Sequence, residues 1–148
     1  MDSSSMKAFL ASLPFNQHLG LEVVEIGLGS GHVRLPDADA LKNHVGTQHA
    51  GALFTAGEAA SGAAIAGFVA ESGGAFIPLA KSARIDYLKT AAGPIDARAT
   101  LRGDLEATRE QARTADRLEV EVEVALHDQN GVRVAQLVVA WVLRKPRA

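Results

Sequence analysis

The sequence predicts an α+β domain in which a curved antiparallel sheet of about six strands wraps one long central helix. Three observations carry this prediction. Residues 49–71, HAGALFTAGEAASGAAIAGFVAE, offer about six helical turns in which almost every position is small or apolar. A hairpin pattern precedes that stretch. Four alternating stretches separated by short turn signals follow it, and strands joined in that way run antiparallel.

The helix has to be enclosed, because a helix apolar all round is a buried one. Gly57, Gly62 and Gly67 lie inside it, and each costs roughly 1 kcal/mol of helix propensity relative to alanine. Close approach of another backbone is the physical reason expected for them. Ala52, Ala56, Ala59, Ala60, Ala63, Ala64 and Ala66 thin the remaining surface. The length also suits a membrane span, but a central Glu58, followed only by Ile65, Phe68 and Val69 as strongly apolar residues, argues against insertion.

A chain of 148 residues is large enough to bury a core as a single domain, 1–148, with residues 1–5 expected to be frayed. It has no cysteine, so neither disulfides nor thiolate ligands enter the argument. A formal charge of −2 with interspersed signs and few aromatic residues gives no footprint for nucleic acid. The opening MDSSSMKAFLASLP lacks the pattern of a secretory signal, and a cytoplasmic protein that does not bind membranes is expected.

Met6, Phe9, Leu10 and Leu13 recur at helical spacing up to Pro14, which predicts a short amphipathic lid or packing helix. Residues 20–36 alternate around Gly27, Gly29 and Gly31, giving a hairpin of strands at about 21–26 and 31–35. Residues 37–48 have no periodicity and read as a loop, the kind of segment that carries function on a rigid scaffold. Ser72, Gly73 and Gly74 stop the long helix. The four later strands are placed at 77–89, 95–105, 118–126 and 132–143, with 106–116 as a loop or solvated hairpin tip. Residues 128–131 turn the chain between the last two. The final strand is apolar on both faces, as suits a central strand or one covered by a partner. An open sheet with such a strand and a free edge predicts self-association, as a homodimer or homotetramer.

This element order resembles that of the hotdog fold, which is the architecture expected. Residues 43–62, NHVGTQHAGALFTAGEAASG, resemble the signature of hotdog-fold acyl-CoA thioesterases of the phenylacetate-pathway type and their uncharacterised relatives. The matching positions are Asn43, Gly46, Thr47, His49, Gly51 and Glu58. Residues 85–91, IDYLKTA, resemble the family strand that follows the helix. The resemblance implies an acyl-CoA or similar thioester as substrate, no cofactor beyond the coenzyme A of that substrate, and no metal. It further implies that Asn43 orients water or the thioester carbonyl and that His49 supports the loop. Two positions depart from the pattern: Ala50 stands where a glycine often follows the histidine, and Glu58 where many relatives carry aspartate.

Thioester hydrolysis needs an activated water or a carboxylate nucleophile, and donors aimed at the oxygen that becomes negative. Glu58 is the candidate for either role, general base or nucleophile. The free amides at the helix start, at Ala50 and Gly51, are natural oxyanion donors. Nine residues separate Glu58 from His49, about 13 Å along one helix axis, so the two cannot serve one carbonyl from one chain. A shared site therefore requires two antiparallel helices across a two-fold interface. Thr55 and Ser61 are candidates to bond the Glu58 carboxylate, and Ser82 for the hydroxyl some relatives supply from the next strand. Arg84 and Lys89, with Arg144 and Lys145, are candidates for the phosphates of coenzyme A. Each has a plainer reading: Glu58 as a buried structural acid, Asn43 as a turn former, His49 as a helix cap, Thr55 and Ser61 as space-saving hydroxyls, the cations as solvated strand-end charges. Two other functions remain open, a non-catalytic acyl-CoA binding protein and an enoyl-thioester hydratase. The sequence motifs expected of the hydratase are not present.

Overall fold

The computed structural model describes residues 1–73 and 75–148. Two short helices open the chain, α1 (Ser3–Ser12) and α2 (Pro14–Leu19). Residues 1–5 were expected to fray, but Asp2 accepts the Ser5 N–H at 2.8 Å and caps a helix that already begins at Ser3. Pro14, expected only to end that helix, also starts the next one, since a first-turn position needs no N–H.

The expected hairpin follows as β1 (Glu22–Gly27) and β2 (Ser30–Leu35). A loop with one 3-10 turn at Asp39–Leu41 leads to the long helix α3 (Ala50–Glu71). At the far end of α3 the Ser72 N–H reaches Phe68 O and Gly73 adopts a φ of 65°. The third stop residue, Gly74, lies outside the described residues.

Beyond α3 come β3 (Ile77–Tyr87), β4 (Ile95–Leu101), helix α4 (Leu105–Thr114), β5 (Arg117–His127) and β6 (Arg133–Arg144). Most of the segment 106–116 is thus a helix rather than a loop, and the strand before it ends at Leu101 rather than 105. Asp104 caps α4 by accepting the Ala107 N–H, and Glu106–Arg109 and Glu110–Arg113 pair along it. Only Ala112 of α4 is buried, so the apolar period that would reveal a helix is almost missing from the sequence.

All six strands form one antiparallel sheet in the order β1-β2-β4-β5-β6-β3. The expectation of sequential neighbours fails at β3, which pairs with β6 and forms an edge. Its link to β4 is no hairpin turn: it runs past the start of α3, where Ala91 O accepts the Gln48 N–H, while the Leu88 and Lys89 N–H groups reach Val134 O. The inner face of the sheet closes on α3, mainly through β2 and β4. This is the hotdog arrangement. By length and hydropathy α3 also matches a membrane span, but 67% of its most apolar window is buried within this fold.

The closeness of the wrap explains two of the three helical glycines. A Cβ at Gly67 would lie 1.9 Å from the Gly27 carbonyl oxygen of β1, a true backbone approach. A Cβ at Gly57 would meet the Leu137 side chain at 2.7 Å, so a side chain rather than a backbone fills that place. At Gly62 the nearest atoms are Trp141 ring carbons at 3.8 and 3.9 Å, ordinary contact that would not exclude alanine. Gly67→Ala should therefore destabilise the protein by about 1–3 kcal/mol despite its better helix propensity, because the β1–β2 hairpin must move outward. Chemical denaturation would read this as a lowered midpoint, and an unchanged or raised midpoint would contradict the close contact.

Candidate active site

The sequence-predicted residues fall into two places. The first surrounds the start of α3. His49 is the N-cap, with φ −64° and ψ 140°, and its Nδ1 accepts the Gly51 N–H at 2.8 Å. The Gly51 amide, expected to be free for an oxyanion, is thus already taken. Ala50 N–H is the first amide of the helix and has no intrahelical partner. Ala50 O accepts from Tyr87 Oη at 2.9 Å, which ties the helix start to the end of β3.

Asn43 organises the preceding loop. Its Oδ1 accepts the Val45 and Thr47 N–H groups, and its Nδ2 donates to Thr47 Oγ1 and to Gln48 O. Gln48 is almost fully buried; its Nε2 donates to Pro36 O and Gly93 O, which joins three loops beneath the helix start. Asn43, Ala50, Tyr87 and Lys89 line one cleft of about 360 Å³ here.

Glu58 lies in the second place, a cavity of about 650 Å³ bounded by α1, the middle of α3, the start of β3 and Trp141. The walls are chiefly apolar, with Phe9, Leu10, Phe76 and Trp141 among them. Burial pushes the Glu58 carboxyl above the usual glutamate range, and among the described residues no hydrogen-bond donor offsets that. The two places share no lining residue, as the separation along α3 requires.

The remaining candidates are corrected by position. Thr55 Oγ1 donates to Gly51 O, and Ser61 Oγ donates to the main-chain oxygen of Glu58, so neither reaches the carboxylate; hydroxyls in a helix commonly bond back to the preceding turn. Ser61 also accepts Trp141 Nε1–H at 3.1 Å and so fixes the indole beside Glu58. Ser82 pairs in register with Ala140 and lies on the sheet face away from α3. Arg84, on that same outer face, pairs with Asp86. Lys145 pairs with Asp116 and sits over Phe76. Of the proposed phosphate contacts, Lys89 alone lines the cleft at the helix start.

Sequence reading missed Trp141, Gln48 and Tyr87. Trp141 is the one tryptophan of the chain and alternates inward with Val139 and Leu143, a signal that was available. No local pattern marks Gln48, whose role depends on loops brought together from residues 36 and 93.

Fold and site together define a hotdog protein with a partly buried acid facing an apolar cavity. Within that class the chain belongs to a family described as a domain of unknown function, DUF4442, whose model matches residues 3–143. No curated protein matches the chain. Among solved structures it is similar to a Pseudomonas aeruginosa protein of unknown function described as a probable thioesterase, with 26% identity, a TM-score of 0.85, and coverage of 99% of this chain and 97% of that one. It also shares its fold with a thioesterase candidate from Shewanella oneidensis, at 17% identity and TM-score 0.80, covering 97% and 99% of the two chains. A thioesterase family protein from Silicibacter pomeroyi gives 16% identity, TM-score 0.78, and coverage of 97% and 98%.

An acid whose pKa is raised on folding weakens the fold when it ionises. The folded state then holds more protons than the unfolded one, so stability falls as pH rises from the unfolded value, about 4.3, through the higher folded value. Glu58→Gln removes this loss. Thermal melts should coincide for wild type and variant below about pH 4 and diverge above it, with the variant the more stable. A wild type that is the more stable at neutral pH would mean that ionised Glu58 has a partner in the folded protein.

Proposed function

We propose that the protein hydrolyses acyl thioesters, acyl-CoA in the first instance, at a site completed across a two-fold dimer. The observation that carries this reading is where the two half-sites lie along β3. The Glu58 cavity includes Pro78 at the start of that strand and Phe76 just before it, and the cleft at the helix start includes Tyr87 at its end and Lys89 just beyond. The strand is a long sheet edge with Ile77, Leu79 and Tyr87 exposed, the kind of edge that proteins cover by pairing. Antiparallel pairing of β3 with its copy about a two-fold axis sets the start of one strand beside the end of the other. Glu58 then approaches the helix start of the partner subunit.

In that site Glu58 activates water or attacks the thioester carbonyl. Its raised pKa suits a general base working closer to neutral pH than an ordinary carboxylate. The Ala50 N–H of the partner subunit, at the positive end of the helix dipole, holds the developing oxyanion. Asn43 and His49 hold the loop and helix start in shape, and Lys89 meets a phosphate of coenzyme A. The names carried by the neighbouring structures support this class of reaction. The occupied Gly51 amide leaves one donor where two were expected, and so keeps a non-catalytic acyl-CoA binding protein as the second reading.

Turnover of an acyl-CoA panel tests both. Glu58→Gln should lower kcat by about a hundredfold to ten-thousandfold, and wild-type kcat/KM should rise with pH through an apparent pKa above about 4.3. Equal rates for variant and wild type would take Glu58 out of the mechanism, while tight binding without turnover would select the second reading.

Ala50→Pro deletes the free amide with little disturbance, because proline suits the first helical position and His49 already has the extended backbone that precedes proline. Each single variant should be inactive. After subunit exchange between them, half the dimers contain one intact site of two, so about a quarter of wild-type activity should return. No recovery despite proven exchange would place both groups in one protomer's site.

A further inference from the structure

Gly62 is the helical glycine that the fold itself does not explain. Gly57 and Gly67 are needed because a Cβ would strike Leu137 or the backbone of Gly27, whereas a Cβ at Gly62 would rest against Trp141 at 3.8 Å. Alanine there would gain helix propensity at no steric cost within the chain. Gly62 instead lines the cavity that contains Glu58.

The shape of that cavity gives the missing side chain a use. Glu58, Gly62, Ala66 and Ala70 all line it and follow one another at four-residue intervals, which stacks them in one row along α3. From Glu58 to Ala70 the row spans about 18 Å of helix axis. Beyond Glu58 the floor of this furrow carries small residues and one larger side chain, Val69 near its far end; apolar residues of α1 such as Phe9 and Leu10 roof it and Phe76 and Trp141 flank it. Its volume of about 650 Å³ greatly exceeds what a compact aromatic acyl group would fill. The carboxylate stands at one end of this long apolar space, where a thioester carbonyl has to be.

We propose that the furrow takes the saturated chain of a fatty acyl thioester, carbonyl at Glu58 and tail toward Ala70, and that Gly62 sets the length of chain admitted. This assignment of substrate class rests on the thioester hydrolase reading for the position of the carbonyl. The binding of the chain itself can be measured apart from turnover. Trp141 is the single tryptophan and lines the cavity, so its fluorescence reports occupancy directly.

Titration of wild type with butanoate, octanoate and dodecanoate should change Trp141 fluorescence, with affinity rising about fourfold per methylene until the furrow is full. Octanoate, with four more methylenes, would then bind about 250-fold more tightly than butanoate. Gly62→Leu, which plugs the row four residues beyond Glu58, should cut the dodecanoate-to-butanoate affinity ratio about tenfold or more. The kcat/KM ratio of dodecanoyl-CoA to acetyl-CoA should fall in parallel. Gly62→Ala keeps the test open if the leucine variant does not fold: it should melt higher than wild type, retain its oligomeric mass, and reduce the same ratios to a smaller extent.

Chain-length dependence in binding without hydrolysis of any thioester would sink the hydrolase reading and leave the furrow assignment standing. Hydrolysis with affinity independent of chain length, or a preference for phenylacetyl over octanoyl groups, would overturn the furrow assignment alone. It would equally be overturned if Gly62→Ala lowered stability or dissociated the oligomer, since the glycine would then serve packing.

Discussion

The bareness of α3 is the constraint on which the rest of the structure depends. The sheet can close around a helix only as tightly as their facing surfaces allow, and here backbone meets backbone. Gly67 lies against Gly27, and Gly31 of β2 is so close to Ala60 that a Cβ there would fall 2.5 Å from the Ala60 carbonyl oxygen. These contacts seat the β1–β2 hairpin directly on the helix. Larger side chains from the other strands, Leu126, Leu137, Val139 and Leu143, fill the remaining interior.

That tight wrap leaves one long side of α3 without sheet cover, and α1 lies over it. An acid in the middle of a helix enclosed on every side would need a buried partner. On this side it needs none, because the cavity relieves part of its burial and the remaining desolvation only raises its pKa. The opposite requirement holds at the start of α3. There a polar loop has to be held rigid, and Asn43, Thr47, Gln48 and His49 use most of their hydrogen-bonding groups on one another and on nearby backbone. One end of the helix is thus built on polar contacts, in which Gln48 Oε1 is left buried without a partner, and the middle on apolar space. The proposed thioester chemistry would draw on that combination, a fixed donor on one side and a poorly solvated base on the other.

The placement of β3 follows from the same geometry. Once β2 and β4 occupy the strongest contacts with α3, the strand that leaves the helix must pair elsewhere, and it joins the far side of the sheet beside β6. Most of its length is exposed, although Ala83, Ile85 and Tyr87 alternate as an inward-facing strand would. The strand carries the pattern of an interior element in an edge position, and its two ends border the Glu58 cavity and the cleft at the start of α3.

The sequence by itself determined the central helix and five of the six strand positions closely, because these depend on local period and on turn residues; it offered the cap at His49 only as the plainer of two readings and marked Glu58 as the acid inside the helix. It did not reveal α4, whose inner face rests on only two apolar positions, Leu105 and Ala112, nor the early start of α1, which hangs on one aspartate cap. Only the tertiary structure decided that β3 is an edge, that Ser61 holds Trp141 rather than the Glu58 carboxylate, that the Gly51 amide is occupied, and that Gly62 opens onto a cavity while Gly57 and Gly67 do not. The physical reason is common to all of these. Helical and strand periods fix which face a residue occupies, but what stands opposite that face is set by elements distant in the chain.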